Sequence, residues 1–170
     1  MGTSLKSRPP KGQDFLILGY GDENCGTASV GPLVAKAVSQ WQLPSVKSLA
    51  VPQLTPELSH ELAQASYVIF IDACGHPGIR TVQIDPLVAY ERGPFSMAFA
   101  AHSYDPLALL NLTQRLYGHH PQSWLFQIPI RGCDLNQQIS RTAHRGYDHA
   151  LRTIEQFLVT YQHPQVLQTA

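Results

Sequence analysis

Residues 15–41 read FLILGYGDENCGTASVGPLVAKAVSQW. The run from Phe15 to Leu18 is continuously apolar, which suits a strand buried on both faces inside a parallel sheet. A glycine-rich turn, GYGDENCGTASVG (19–31), follows it. Beyond the turn, Leu33, Val34, Ala37, Val38 and Trp41 recur at the spacing of one helix face. Strand, glycine turn and helix in succession form the first half of a βαβ unit. Repeated units of this kind build a mostly parallel sheet with helices on both sides.

The rest of the chain continues the alternation. VKSLAV (46–51) reads as a second strand. Thr55 before Pro56 reads as an N-cap with proline in the first turn, opening a helix to about Ala65. YVIFIDA (67–73) is β-branched and aromatic, the composition of a strand. GIRTVQI (78–84) alternates apolar and polar and is expected to be an edge strand. Residues 85–104, with Pro86, Gly93 and Pro94, read as irregular. Asp105-Pro106 then caps a helix that ends at Gly118. SWLFQIPI (123–130) is a further buried strand, and a last helix runs from about Thr142 to Tyr161, before Pro164. The expectation is a single three-layer α/β/α domain over 14–162, with a sheet of about five strands. Residues 1–13 and 163–170 are expected to be flexible tails.

Bulk properties narrow the function. The chain has 170 residues, enough for one ordinary domain. Hydrophobic residues make up 44% and charged residues 14%, a globular composition. Twelve basic residues balance twelve acidic ones, so nothing demands a nucleic acid or an anionic membrane as partner. Cys25, Cys74 and Cys133 are too few and too odd in number for a disulfide framework and read as thiols of a reducing compartment. The first residues lack an apolar core, so no signal peptide is expected. Met1-Gly2 invites myristoylation, but Lys6 stands where serine or threonine is wanted. No apolar run approaches the roughly 20 residues of a membrane span. A cytoplasmic protein is expected.

In open sheets of this type ligands sit beyond the carboxyl ends of the strands. That rule directs attention to the ends of the first and third strands and to the loop 85–104. The opening turn is a poor dinucleotide site. Gly19 and Gly21 fit the first two glycines of G-x-G-x-x-G, but Asn24 stands third, and Asp22 and Glu23 put negative charge where phosphates would lie. No P-loop is present. Asp72 ends the third strand, where it either caps the next turn or serves as a metal ligand, acid or base. His102 lies in a loop, where histidines are often structural or solvated; neutral imidazole is also a frequent ligand of nickel, zinc and iron. The remaining histidines form no HExxH-type pattern, and His119-His120 reads as a helix cap. There is no G-x-S-x-G elbow, and nothing in the sequence activates Cys74 as a nucleophile.

Taken together, three segments resemble the hydrogenase maturation endopeptidases. LILGYGDENCGTASVGPLVA is similar to that family's ILGxGNxLxxDDGxGxxVA. QLTPELSHELAQASYVIFIDA is similar to QLTPEL…A…VIFVDA, and HSYDPLALLNLTQRLYGHHPQSWLFQIPI to HxxxPxxLLxLAxxLYGxxPxxxxLxxI. The resemblance spans roughly residues 15–160. It implies removal of a C-terminal extension from the large-subunit precursor of a [NiFe] hydrogenase after nickel insertion. That subunit is the implied partner. The nickel arrives with the substrate, and zinc or cadmium could stand in for it.

The resemblance also implies three metal ligands: an acidic residue in the opening turn, the aspartate ending the third strand, and the histidine opening the HxxxP segment. The last two are Asp72 and His102. The first has no counterpart, because the acidic pair falls on Thr27 and Ala28. Asp22, Glu23 or Cys25 are the candidate replacements, Cys25 being a softer donor acceptable to nickel. Gly19, Gly21 and Gly31 are expected to shape the substrate-binding loop. The absent carboxylate leaves a second reading open: a non-proteolytic relative that binds a hydrogenase large subunit as an assembly or regulatory factor.

Overall fold

The computed structural model describes residues 14–22, 29–89, 104–131 and 140–162. Five strands, β1 (Phe15–Tyr20), β2 (Val46–Val51), β3 (Tyr67–Cys74), β4 (Gln83–Leu87) and β5 (Gln122–Pro129), form one sheet in the order β2-β1-β3-β5-β4. All neighbours are parallel except β4, which runs antiparallel to β5 at the edge. The helices are α1 (Val30–Ser39), α2 (Ser59–Gln64), α3 (Pro106–Tyr117) and α4 (Arg141–Gln162).

β1 lies inside the sheet and buries both faces, which is why its sequence is an unbroken apolar run. Phe15 and Ile17 join Ile69, Ile71, Phe126 and Ile128 in a core layer completed by α1 and α4. Leu16 and Leu18 join Val68 and Phe70 in a second layer completed by α2 and α3. Each of these side chains is fully buried, worth roughly 1.5–3 kcal/mol relative to exposure. α4 is fastened by aromatic contacts: the Trp124 and Phe157 rings meet edge to face at 5.1 Å. The three-layer α/β/α architecture and the order of elements are as the sequence leads one to expect.

Two expectations need correction. The edge strand covers 83–87 rather than 78–84, and so takes in Asp85 and Pro86 from the stretch expected to be irregular. A proline that breaks a central strand is tolerated at an edge, where no partner needs its missing N–H. Residues 76–79 instead form a turn, in which the Ile79 N–H donates to the His76 carbonyl at 3.0 Å and the Gly78 N–H to His76 Nδ1 at 3.2 Å. The second correction concerns Thr55. It precedes a 3₁₀ turn (Pro56–Leu58) rather than α2 itself, and its side chain makes no cap hydrogen bond. Its hydroxyl lies near the Glu57 carboxyl and favours the ionised form, lowering that group's pKa.

The other boundary signals hold. The Asp105 side chain accepts from the Ala108 N–H at 2.7 Å, with Pro106 in the first turn of α3. Gly118 ends α3 with φ 75, the left-handed conformation that glycine adopts without strain.

Candidate functional site

The chain reverses direction across the sheet between β1 and β3. β1 leads outward to β2, whereas β3 leads to the opposite side. This is a topological switch point, and the region beyond the carboxyl ends of the two strands is the usual ligand position in such folds. In the parallel register Gly19 pairs with Ile71, so Tyr20 and Asp72 follow as side-by-side residues at the switch point. Strand alternation places both on the α2–α3 face, in line with Leu16 and Leu18 on one strand and Val68 and Phe70 on the other.

The Tyr20 phenol and the Asp72 carboxylate are close enough to influence each other's ionisation. Both side chains are partly buried. Burial pushes the Asp72 pKa up, offset in part by Tyr20 and the Ala73 N–H, which favour the ionised form. Tyr20 is held far above the ordinary phenol range, first by burial, then by the Asp72 and Asp105 carboxylates facing it. Asp105, the N-cap of α3, makes the smallest contribution to that effect. A carboxylate ionised at some cost, at a topological switch point, is the kind of group that accepts a cation or a proton.

The glycines of the opening turn explain how the helix reaches this point. A Cβ on Gly31 would lie 2.6 Å from the Ile71 carbonyl oxygen and 2.7 Å from that of Tyr20. A Cβ on Gly19 would lie 2.1 Å from the Gly31 carbonyl oxygen. The first turn of α1 thus presses directly on the ends of β1 and β3, which only glycine permits. Gly21, with φ 149, lets the chain leave β1 while its N–H still bonds the Val51 carbonyl at 3.2 Å.

Of the residues singled out in the sequence, Asp72 lies near the carboxyl end of β3 at the switch point, partly buried, and Asp22 is exposed just beyond β1. Glu23, Cys25, Thr27, Ala28 and His102 lie outside the described residues. Among the described residues no three His, Cys, Asp or Glu side chains gather as a metal site. Cys74 is an unbridged, half-buried thiol. His119 links helix ends, with Nε2 2.8 Å from the Ala63 carbonyl and Nδ1 3.1 Å from that of Tyr117. His144 pairs with Asp148 at 3.3 Å on the exposed surface of α4. Tyr20 escaped the sequence reading; its signal is its even spacing from Leu16 and Leu18, which assigns it to the face of Asp72 once β1 and β3 are neighbours.

Solved structures share this architecture. The [NiFe] hydrogenase maturation protease HybD from Thermococcus kodakarensis superposes with a TM-score of 0.65 at 17% identity, over 85% of this chain and 99% of that one. The hydrogenase maturating endopeptidase HybD from E. coli gives 0.61 at 18% identity, over 88% and 94%. A hydrogenase 2 maturation peptidase from Thaumarchaeota archaeon SCGC_AB-539-E09 gives 0.61 at 16% identity, over 86% and 98%. No family profile and no curated protein sequence matches the chain. The fold is that of the hydrogenase maturation peptidases. No helix among the described residues is long and apolar enough to cross a membrane.

Proposed function

We propose that this protein is a maturation endopeptidase that removes a C-terminal extension from a [NiFe] hydrogenase large-subunit precursor after nickel insertion. The observation that carries the reading is Asp72, a partly buried carboxylate at the switch point of a fold shared with hydrogenase maturation peptidases. Nickel enters as part of the substrate. The donor set suits it: an Asp72 carboxylate and the imidazole of His102, three residues before Asp105 in the chain. Tyr20 follows on the neighbouring strand on the same face as Asp72, and Asp105 caps α3 on that side of the sheet. Such a site recognises the nickel-loaded precursor and orients its extension for hydrolysis.

The test is incubation with a nickel-loaded precursor subunit, followed by mass spectrometry. Loss of the extension with wild type, abolished by Asp72→Ala, is the expected result. No cleavage by wild type, together with cleavage by Ala28→Glu, overturns it.

That second outcome supports the other reading, a non-proteolytic binding factor, which rests on Thr27 and Ala28 standing where an acidic pair is expected. Removing a ligand's neighbour alone costs about 10- to 100-fold in metal sites, and removing a ligand costs more. Under this reading, wild type retains a hydrogenase large subunit in pull-down without shortening it.

A further inference from the structure

We propose that the outer face of α4 is a docking surface for a protein partner that presents carboxylates, with Arg141, Arg145 and Arg152 as its anchors. That the partner is the hydrogenase precursor rests on the reading above; the surface itself does not.

α4 buries Ala143, Ala150, Ile154 and Leu158. Arg141, Arg145 and Arg152 are exposed. At about 3.6 residues per turn their spacing sets them within about 40° of one another, on the side away from that core, along about 16 Å of helix. Among the described residues none of the three side chains has an ion-pair or hydrogen-bond partner. The chain's twelve cations and twelve anions cancel, so net charge conceals this stripe. Asp148 and Glu155, the acids of α4, run along one flank of it, and His144 meets Asp148 at 3.3 Å.

Three features favour a protein over a polyphosphate. α4 carries arginine and no lysine, and protein interfaces are enriched in the first and depleted in the second. The acidic flank repels an unbroken row of phosphates, whereas a protein surface can set a cation opposite it. Arg152 also borders a shallow hollow of about 440 Å³ with Glu155, Gln156, Val159 and Thr160, and Val159 is 62% exposed, an apolar contact beside the charged ones. Gly146 lies against Ile128 and Pro129 at the carboxyl end of β5, and Tyr161 against Phe15 at the start of β1. The stripe therefore begins at the end of the sheet that carries Asp72, and a partner anchored on it stands at that end.

The test replaces all three arginines, as Arg141→Glu/Arg145→Glu/Arg152→Glu and as the milder triple change to Gln. Binding of the nickel-loaded precursor is followed by surface plasmon resonance at low and high salt. The glutamate variant is expected to bind about 10-fold more weakly or worse, mostly through a slower association rate, and to lose salt dependence. Unchanged binding by both variants overturns the proposal. So does an equal loss in Arg115→Glu, on α3 across the sheet, compared with Arg145→Glu alone, because net charge would then be the cause. If wild type does not bind the precursor, the partner reading falls, and NMR titration of the full chain with a glutamate-rich peptide decides the surface. Shifts along α4 that vanish in the triple variants support it; no shifts there overturn it, as do larger shifts with duplex DNA, which would make the stripe a nucleic-acid site.

Discussion

Asp72 is more costly to the fold as a carboxylate than as a neutral group. Burial raises its pKa, so the folded protein holds this proton more tightly than the unfolded chain does. The resulting stabilisation is complete below the unfolded chain's value, about 3.9, and is lost as pH rises through the raised folded value. Asp72→Asn keeps the shape and removes the charge. The variant is therefore expected to be more stable than wild type at neutral pH, with the difference closing in acid. Urea denaturation at the two pH values checks this; a less stable variant at neutral pH contradicts it. A site residue that weakens its own scaffold is common where chemistry needs a strained charge. The sequence revealed Asp72 because its position is unusual, an acid after five apolar residues. It concealed Tyr20, because an aromatic at a strand end is ordinary until the neighbouring strand and its register are known.

At the scale of elements, α1 is pressed against the carboxyl ends of β1 and β3. Gly31→Ala drives a methyl group into the Ile71 and Tyr20 carbonyl oxygens, at 2.6 and 2.7 Å. Backbone atoms yield little, so a loss of about 3 kcal/mol or more is expected, above the ordinary range for overpacking. Thermal or urea unfolding measures it; a loss below about 1 kcal/mol would show that α1 can withdraw freely. The glycines of the opening turn were legible in the sequence as a close approach of backbone to something. That the something is the sheet's own carbonyl row, in addition to any ligand, required the packing. Elements whose apolar period was long and regular were read with their bounds nearly correct. The misplaced ones, β4 and the entry to α2, are short: Pro86 is tolerated at an edge, and Thr55 makes no cap hydrogen bond and precedes a 3₁₀ turn.

The whole molecule carries no net charge at neutral pH, with twelve groups of each sign and eight histidines in reserve. Molecules at zero net charge repel one another least, so association is expected to peak near neutrality. Protonation of histidines below about pH 6 makes the protein cationic and disperses it. Light scattering against pH should pass through a maximum near neutrality; stronger scattering at about pH 5.5 than at pH 7 would contradict this. The three-layer architecture was legible because strand and helix periods alternate along the chain. The division of the core into two layers follows from the same alternation, read residue by residue along β1 and β3.

β1 is paired on both sides, with β2 and with β3, yet β3 begins only at Tyr67 and β5 only at Gln122. During synthesis, at about 5–20 residues per second, the apolar segment FLILGY leaves the ribosome on the order of seconds before its second neighbour exists. Throughout that interval a strand destined for the interior is an adhesive surface on a nascent chain. The penalty for building a sheet around its first strand is therefore one of timing, borne during translation and absent from the finished protein.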